Sequence, residues 1–185
     1  ADKPFYLQLS HYAMHIWHDS LRESREKYKL LPKGKKHQKK DDLAEEDIPL
    51  ATYNHGWIIN YAAMLDDTDR AFGRLLDAIE ELGIKEHTYV VFTSDNGGGF
   101  RGNHPLKSGK GSLYEGGIRM PTFVRGPGIK MGSYCKVPVV QWDFLQTFYD
   151  LAGGRKPLPE DLDGGSLRDV FEKGDRGKVK RNTKE

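Results

Sequence analysis

The sequence is poor in sulfur chemistry and in long apolar stretches. Cys135 is the one cysteine among 185 residues, so no intrachain disulfide framework is possible and the redox compartment stays open. No apolar run approaches the ~18 residues that a membrane-spanning helix needs. The opening residues Ala1-Asp-Lys-Pro-Phe hold no apolar signal core, and the absence of an initiating Met fits either a removed signal or a longer protein upstream. An excess of one charge is lacking too: the net charge of +2 excludes a global polycation and the nucleic-acid footprint that goes with one. Apolar residues make up 37% and charged residues 30%, with a mean hydropathy of −0.70. That length still suffices for one domain with a substantial core, or for a piece of something larger. There is no internal repeat.

What is present alternates strand-like and helix-like segments. Phe5-Tyr-Leu-Gln-Leu-Ser10 reads as a buried strand. The histidine-bearing stretch from Ser10 to His18 leaves its carboxyl end, where α/β sheets collect ligands. Residues 19–50 set the lysines of 33–40 beside Asp41-Asp42 and Glu45-Glu46, the pattern of an exposed charged insertion with a short helix. A basic binding patch is the alternative, disfavoured because no aromatics interleave the lysines. Tyr61, Met64, Leu65, Thr68, Phe72, Leu75, Leu76, Ile79 and Leu82 recur at spacings of three and four, predicting a helix over 57–82. Gly83 would close it, and Asp66, Asp67 and Asp69 would lie on its solvated face. Tyr89–Thr93 reads as a central parallel strand, Pro121–Arg125 as another strand, Gly126-Pro-Gly128 as a turn, and 139–151 as a second amphipathic helix. Helix followed by strand is half of a β-α-β layout. Residues 172–185 are charged and are expected to fray.

The chemistry concentrates between 95 and 119, a stretch with eight glycines. Asp95-Asn96-Gly97 follows the strand-like run. A carboxylate and an amide oxygen suit a hard cation, although Asp-Asn-Gly is also a common plain turn. Fifteen residues after Asp95, Lys110 stands between two glycines. Such a setting lets backbone N–H groups and an ammonium approach an anion together. The neighbouring Lys107 reads as an ordinary exposed lysine. Of the histidines, His15 is the preferred catalytic candidate, with His11, His18 or a purely structural histidine as alternatives. His104 is a candidate for lining a substrate entrance, and His37, His55 and His87 read as loop histidines.

Taken with Asp95-Asn96-Gly97, the run Gly109-Lys-Gly-Ser-Leu-Tyr-Glu-Gly-Gly-Ile-Arg-Met-Pro121 closely resembles the sulfatase family of the alkaline-phosphatase-like superfamily. The stretch from Pro4 to His15 resembles the sulfatase strand that ends in a sulfate-contacting histidine. It departs from that family at Met14 and Trp17, where proline is frequent. The resemblance implies an α/β fold, a three-layer α/β/α alkaline-phosphatase-like sheet, with this chain incomplete at both ends. Residues 1–155 would be part of the catalytic domain and 156–185 the start of a C-terminal segment, partly disordered. It implies calcium on Asp95 and Asn96, with sulfate held by Lys110 and His15 and approached by His104. Glu115 and Arg119 would hold the loop as an ion pair. The implied activity is hydrolysis of an aryl or carbohydrate sulfate ester, in a periplasmic, secreted or lysosomal setting. The partner would be a sulfated small molecule or glycan. The family's nucleophile is a formylglycine made in a Cys-x-Pro-x-Arg or Ser-x-Pro-x-Arg motif. No such motif occurs here, and Cys135 lacks both its Pro and its Arg. The nucleophile is therefore expected in a segment before Ala1, and the chain alone is expected to be inactive. A phosphoesterase or phosphonate hydrolase of the same superfamily, and a non-catalytic sulfated-glycan-binding domain, are the alternatives.

Overall fold

The computed structural model describes residues 3–15, 18–31, 56–99, 103 and 105–182. The lysine-rich 33–40 segment, Trp17, His37, His55 and His104 lie outside the described residues. By contact density the chain divides into two units: residues 1–6, 86–93 and 121–185, and residues 7–85 and 94–120.

In the second of these, α1 (Arg22–Lys29) packs against α2 (Gly56–Glu81). Helix α2 forms over the predicted span, but its buried face matches the predicted one only in part: Met64 and Ile79 are buried together with Ile58, Ile59 and Ala63, whereas Leu65 and Leu82 are 51% and 71% exposed. Tyr28 of α1 packs on Ile58 and Ile59. It stops at Gly83, whose φ of 65° supplies the left-handed turn. The Ile84 N–H returns to the Ile79 carbonyl at 3.2 Å. In the acidic cluster of α2, Asp69 is exposed as expected, but Asp66 and Asp67 depart from a solvated face. Asp66 and Asp67 are only 18% and 17% exposed, because α1 lies over them. Asp67 accepts the Leu21 N–H at 2.7 Å, the Ser24 hydroxyl at 2.5 Å and an Arg70 N–H at 2.6 Å. Leu21 offers the α1 N-terminus no side-chain cap, so a carboxylate from α2 does that work instead. Burial pushes the Asp67 carboxyl up, but the bonds from Ser24, Leu21 and Arg70 outweigh it and hold the group below its usual range.

The other unit holds β1 (Val90–Thr93), β2 (Thr122–Arg125), α4 (Asp143–Leu151) and α5 (Arg168–Lys173). Both strands form where their β-branched and aromatic runs predict them, but they pair with each other antiparallel, Val90 opposite Arg125 and Thr93 opposite Thr122. The parallel reading is corrected here. The connection between the two strands, residues 94–121, is long enough for a crossover, but its described residues hold only the four-residue α3 (Glu115–Ile118) and not the longer helix that usually carries a parallel one. The 5–10 segment is corrected too. It is extended but exposed along its length, with Phe5, Leu7 and Leu9 at 60% or more. Among the described residues no strand pairs with it; the Tyr6 ring meets that of Phe148 at 5.3 Å, while Phe5, Leu7 and Leu9 stay on the surface where the sequence predicts burial.

Helix α4 starts at Asp143, four residues after the predicted start, because the Asp143 side chain organises the turn before it. This carboxylate is fully buried. It accepts the Val140 N–H at 2.9 Å, the Gly165 N–H at 3.1 Å, and two guanidinium N–H groups of Arg181 at 2.8 and 2.7 Å. Thr147, also buried, accepts the Leu167 N–H at 2.9 Å. The charged tail thus carries fixed partners as far as Asn182, whose amide donates to the Glu160 carbonyl at 3.1 Å, whereas its composition suggests fraying. Cys135 is exposed.

Burial pushes the Asp143 carboxyl up, yet Arg181 and the two amides more than offset this and leave it below the ordinary aspartate range. A depressed folded-state value stabilises the fold above the unfolded pKa of ~3.9, and that contribution is lost as pH falls through the folded value. Arg181→Ala, which strands a buried carboxylate, should cost about 3 kcal/mol in urea denaturation at pH 7. In Asp143→Asn the loss of stability below about pH 4 should be shallower than in the parent. Urea midpoints equal to the parent's at both pH values would rule out this clamp.

Candidate functional site

Past Thr93 the chain turns through Ser94-Asp95-Asn96. The Ser94 hydroxyl donates to the Asn96 carbonyl at 3.1 Å and lies 3.4 Å from a carboxylate oxygen of Asp95. Asp95 is exposed, Asn96 is half-buried and Gly97 is buried. Three backbone bonds then fold the following loop on itself. Gly97 N–H donates to the Gly117 carbonyl, Lys110 N–H to the Gly98 carbonyl and Gly116 N–H to the Lys107 carbonyl, each at 2.9 Å. The Lys110 bond is the informative one. It ties the residue bearing the candidate anion ligand to the carbonyl two positions beyond Asn96, so the predicted metal half-site and the predicted anion clamp share one loop.

That closeness depends on glycine. A methyl on Gly116 would lie 2.0 Å from the Ser108 carbonyl oxygen, and one on Gly98 would lie 2.3 Å from the Asn103 side chain. The Lys110 side chain is exposed. Lys107 differs from the plain surface lysine expected, since its ammonium sits 3.9 Å from the centre of the Tyr114 ring. Glu115 and Arg119 do pair, at 3.4 Å, but both are more than half exposed, so the pair adds little to the loop's rigidity.

His15 is placed by a different segment. Its N–H donates to the Tyr12 carbonyl at 3.0 Å, and its exposed ring stands 5.3 Å from the Tyr12 ring. His11 accepts the Ala13 N–H on Nδ1 at 3.0 Å, and His18 meets Tyr61 of α2 edge-on at 5.3 Å. For a cation, the Asp95 carboxylate and the Asn96 amide are hard oxygen donors of the type calcium prefers. Among the described residues no three acidic, His or Cys side chains cluster, so the pair fits in type and supplies only part of a shell of six or more.

The model of the family described as Sulfatase matches residues 1–154. The chain belongs to the sulfatase family. It is 30% identical over 190 residues to a sulfatase of Formosa agariphila, covering 92% of this chain and 30% of that protein. It is 39% identical over 114 residues to an N-acetylglucosamine-6-O-sulfatase of Bacteroides thetaiotaomicron, covering 61% of this chain and 20% of that protein. Among solved structures it is similar to Ps i-CgsB in complex with k-i-k-neocarrahexaose, at a TM-score of 0.65 and 30% identity over 86% of this chain and 31% of that one. The chain therefore spans under a third of the length of these relatives. Its fold class is the alkaline-phosphatase-like α/β class of sulfatases. No helix among the described residues is long and apolar enough to cross a membrane.

One residue of this sulfatase loop escapes a reading of the sequence. Asn103 places its amide nitrogen within hydrogen-bond distance of three loop carbonyls, and neither spacing nor residue type distinguishes it from an ordinary loop asparagine. The glycine packing generates a test. Gly116→Ala should destabilise the loop by at least about 2 kcal/mol, because the obstructing atom is backbone. Gly99→Ala, which has open space around it, should be tolerated. Hydrogen exchange of the Lys110 and Gly116 amides reads the difference, and equal exchange in the two variants would refute the packing argument.

Proposed function

We propose that this chain is the metal- and sulfate-binding part of a sulfate-ester hydrolase. The single observation that carries the reading is the Lys110 N–H bond to the Gly98 carbonyl, which puts oxygen donors and an ammonium on one folded loop. In this reading Asp95 and Asn96 are ligands of a calcium ion. When bound, that ion supplies positive charge to sulfate oxygens. Lys110 holds a sulfate oxygen and stabilises the charge that grows as the S–O bond breaks. His15 donates a hydrogen bond to the sulfate or a proton to the leaving oxygen, and His104 lines the approach. The nucleophile, a formylglycine in sulfatases, is not carried by these 185 residues, which contain neither form of its motif. Residues 1–155 belong to the catalytic domain in this reading, and 156–185 begin a C-terminal segment.

The substrate is an aryl or carbohydrate sulfate. The name of the Bacteroides relative and the oligosaccharide bound to the structural neighbour favour the carbohydrate class. A periplasmic, secreted or lysosomal compartment goes with it by family resemblance.

In the catalytically complete protein that contains this chain, Lys110→Ala should lower kcat/KM for an aryl sulfate by about 10²- to 10³-fold. Asp95→Ala should raise the calcium concentration needed for half-maximal activity. The 185 residues alone should release no product. Turnover by the isolated chain, or wild-type kinetics in both variants, would overturn the assignment.

A further inference from the structure

The Asn103 amide nitrogen lies 2.8 Å from the Gly98 carbonyl oxygen, 3.1 Å from that of Ser108 and 3.0 Å from that of Gly116. These oxygens belong to the three parts of the loop. Gly98 follows the Asp95-Asn96 turn, Ser108 precedes Lys110, and Gly116 lies in α3. An amide has two N–H groups, so the three acceptors share them around a single nitrogen. The same Gly98 oxygen also accepts the Lys110 N–H. Its two lone pairs are then both used, one by Asn103 and one by Lys110.

Two further features fit a structure built around this side chain. Ser108 holds a φ of 63°, a left-handed conformation that costs a non-glycine residue about 1 kcal/mol or more, and its carbonyl is one of the three that Asn103 engages. Bare glycine surfaces also face the amide: a methyl on Gly98 would lie 2.3 Å from its oxygen, and one on Gly109 would lie 3.0 Å from its nitrogen. Only a neutral side chain with two N–H groups suits the position. A carboxylate of the same shape would set oxygen against three carbonyl oxygens.

We propose that Asn103 is a positioning residue of the sulfate site, fixing Lys110 relative to Asp95 and Asn96 by holding the carbonyls of Gly98, Ser108 and Gly116 together. The role of the loop in hydrolysis rests on the function proposed above; the pinning itself does not. Asn103 touches no substrate in this account and acts through Lys110.

The test compares Asn103→Ala with Asn103→Asp. In the catalytically complete protein, with 4-nitrophenyl sulfate as probe, Asn103→Ala should lower kcat by about 10- to 100-fold with a smaller change in KM, because misplacement of an oriented group acts mainly on the transition state. Relative to the parent, Asn103→Asp should recover as pH falls towards about 5. Its carboxyl, surrounded by carbonyl oxygens, protonates early and regains one donor. The Asn103→Ala ratio should stay flat with pH. A merely structural role would lower both variants equally at every pH, and that result, like wild-type kinetics in Asn103→Ala, would overturn the proposal. If the parent hydrolyses neither 4-nitrophenyl sulfate nor N-acetylglucosamine 6-sulfate, the hydrolase reading fails and exchange in the 185-residue chain decides the pin alone. Amide exchange at Lys110, Gly97 and Gly116 about five- to tenfold faster in Asn103→Ala sustains it; unchanged exchange overturns it.

Discussion

The site depends on one carbonyl oxygen. Gly98 lies two residues beyond the Asp95-Asn96 pair, and its carbonyl accepts both the Lys110 N–H and the Asn103 amide. A loop of this composition has few side chains with which to define itself, so its shape must come from backbone hydrogen bonds made at close range. Close range requires the absence of Cβ atoms, which accounts for the glycines at 98, 109 and 116. The same shortage of side chains leaves the Lys110 ammonium exposed. In the proposed role of an anion ligand, an exposed ammonium is open to an incoming sulfate.

Two aspartates organise the surroundings by the same physics in separate parts of the chain. Asp67 collects donors from α1 and α2, and Asp143 collects them from the turn before α4, from Gly165 and from Arg181. In each case a carboxylate removed from water is kept ionised by several N–H or O–H donors, because a buried charge without them would cost several kcal/mol. A chain with 30% charged residues and, among the described residues, few buried apolar side chains thus fixes its helices partly through ionic junctions. These junctions are invisible to hydrophobic periodicity.

That difference explains what the sequence reveals. The extent of α2, its stop at Gly83, both strand locations and the loop signature around Lys110 are local patterns, and each is found where it is read; which face of α2 is buried is found only in part, at Met64 and Ile79. Pairing is not local. The antiparallel partnership of β1 and β2, and the exposure of Phe5, Leu7 and Leu9, depend on which strands lie alongside, and periodicity within one segment carries no such information. Asp66 and Asp67 read as solvated because nothing in their own helix shows that α1 will cover them. Asn103 is missed for the same reason: its three partners are five to thirteen residues away, and only the folded loop brings them to one nitrogen. The roles of His15, Lys110, Asp95 and Asn96 come from resemblance, supported by the shared loop for the last three.

The most direct test of the central claim, that the Asp95-Asn96 turn and Lys110 form one metal and sulfate site, is a crystal structure of the catalytically complete protein grown with calcium and inorganic sulfate. The account predicts a cation on the side-chain oxygens of Asp95 and Asn96 and a sulfate oxygen within hydrogen-bond distance of Lys110 Nζ. A cation bound away from both residues, or a sulfate seated without Lys110, would contradict it.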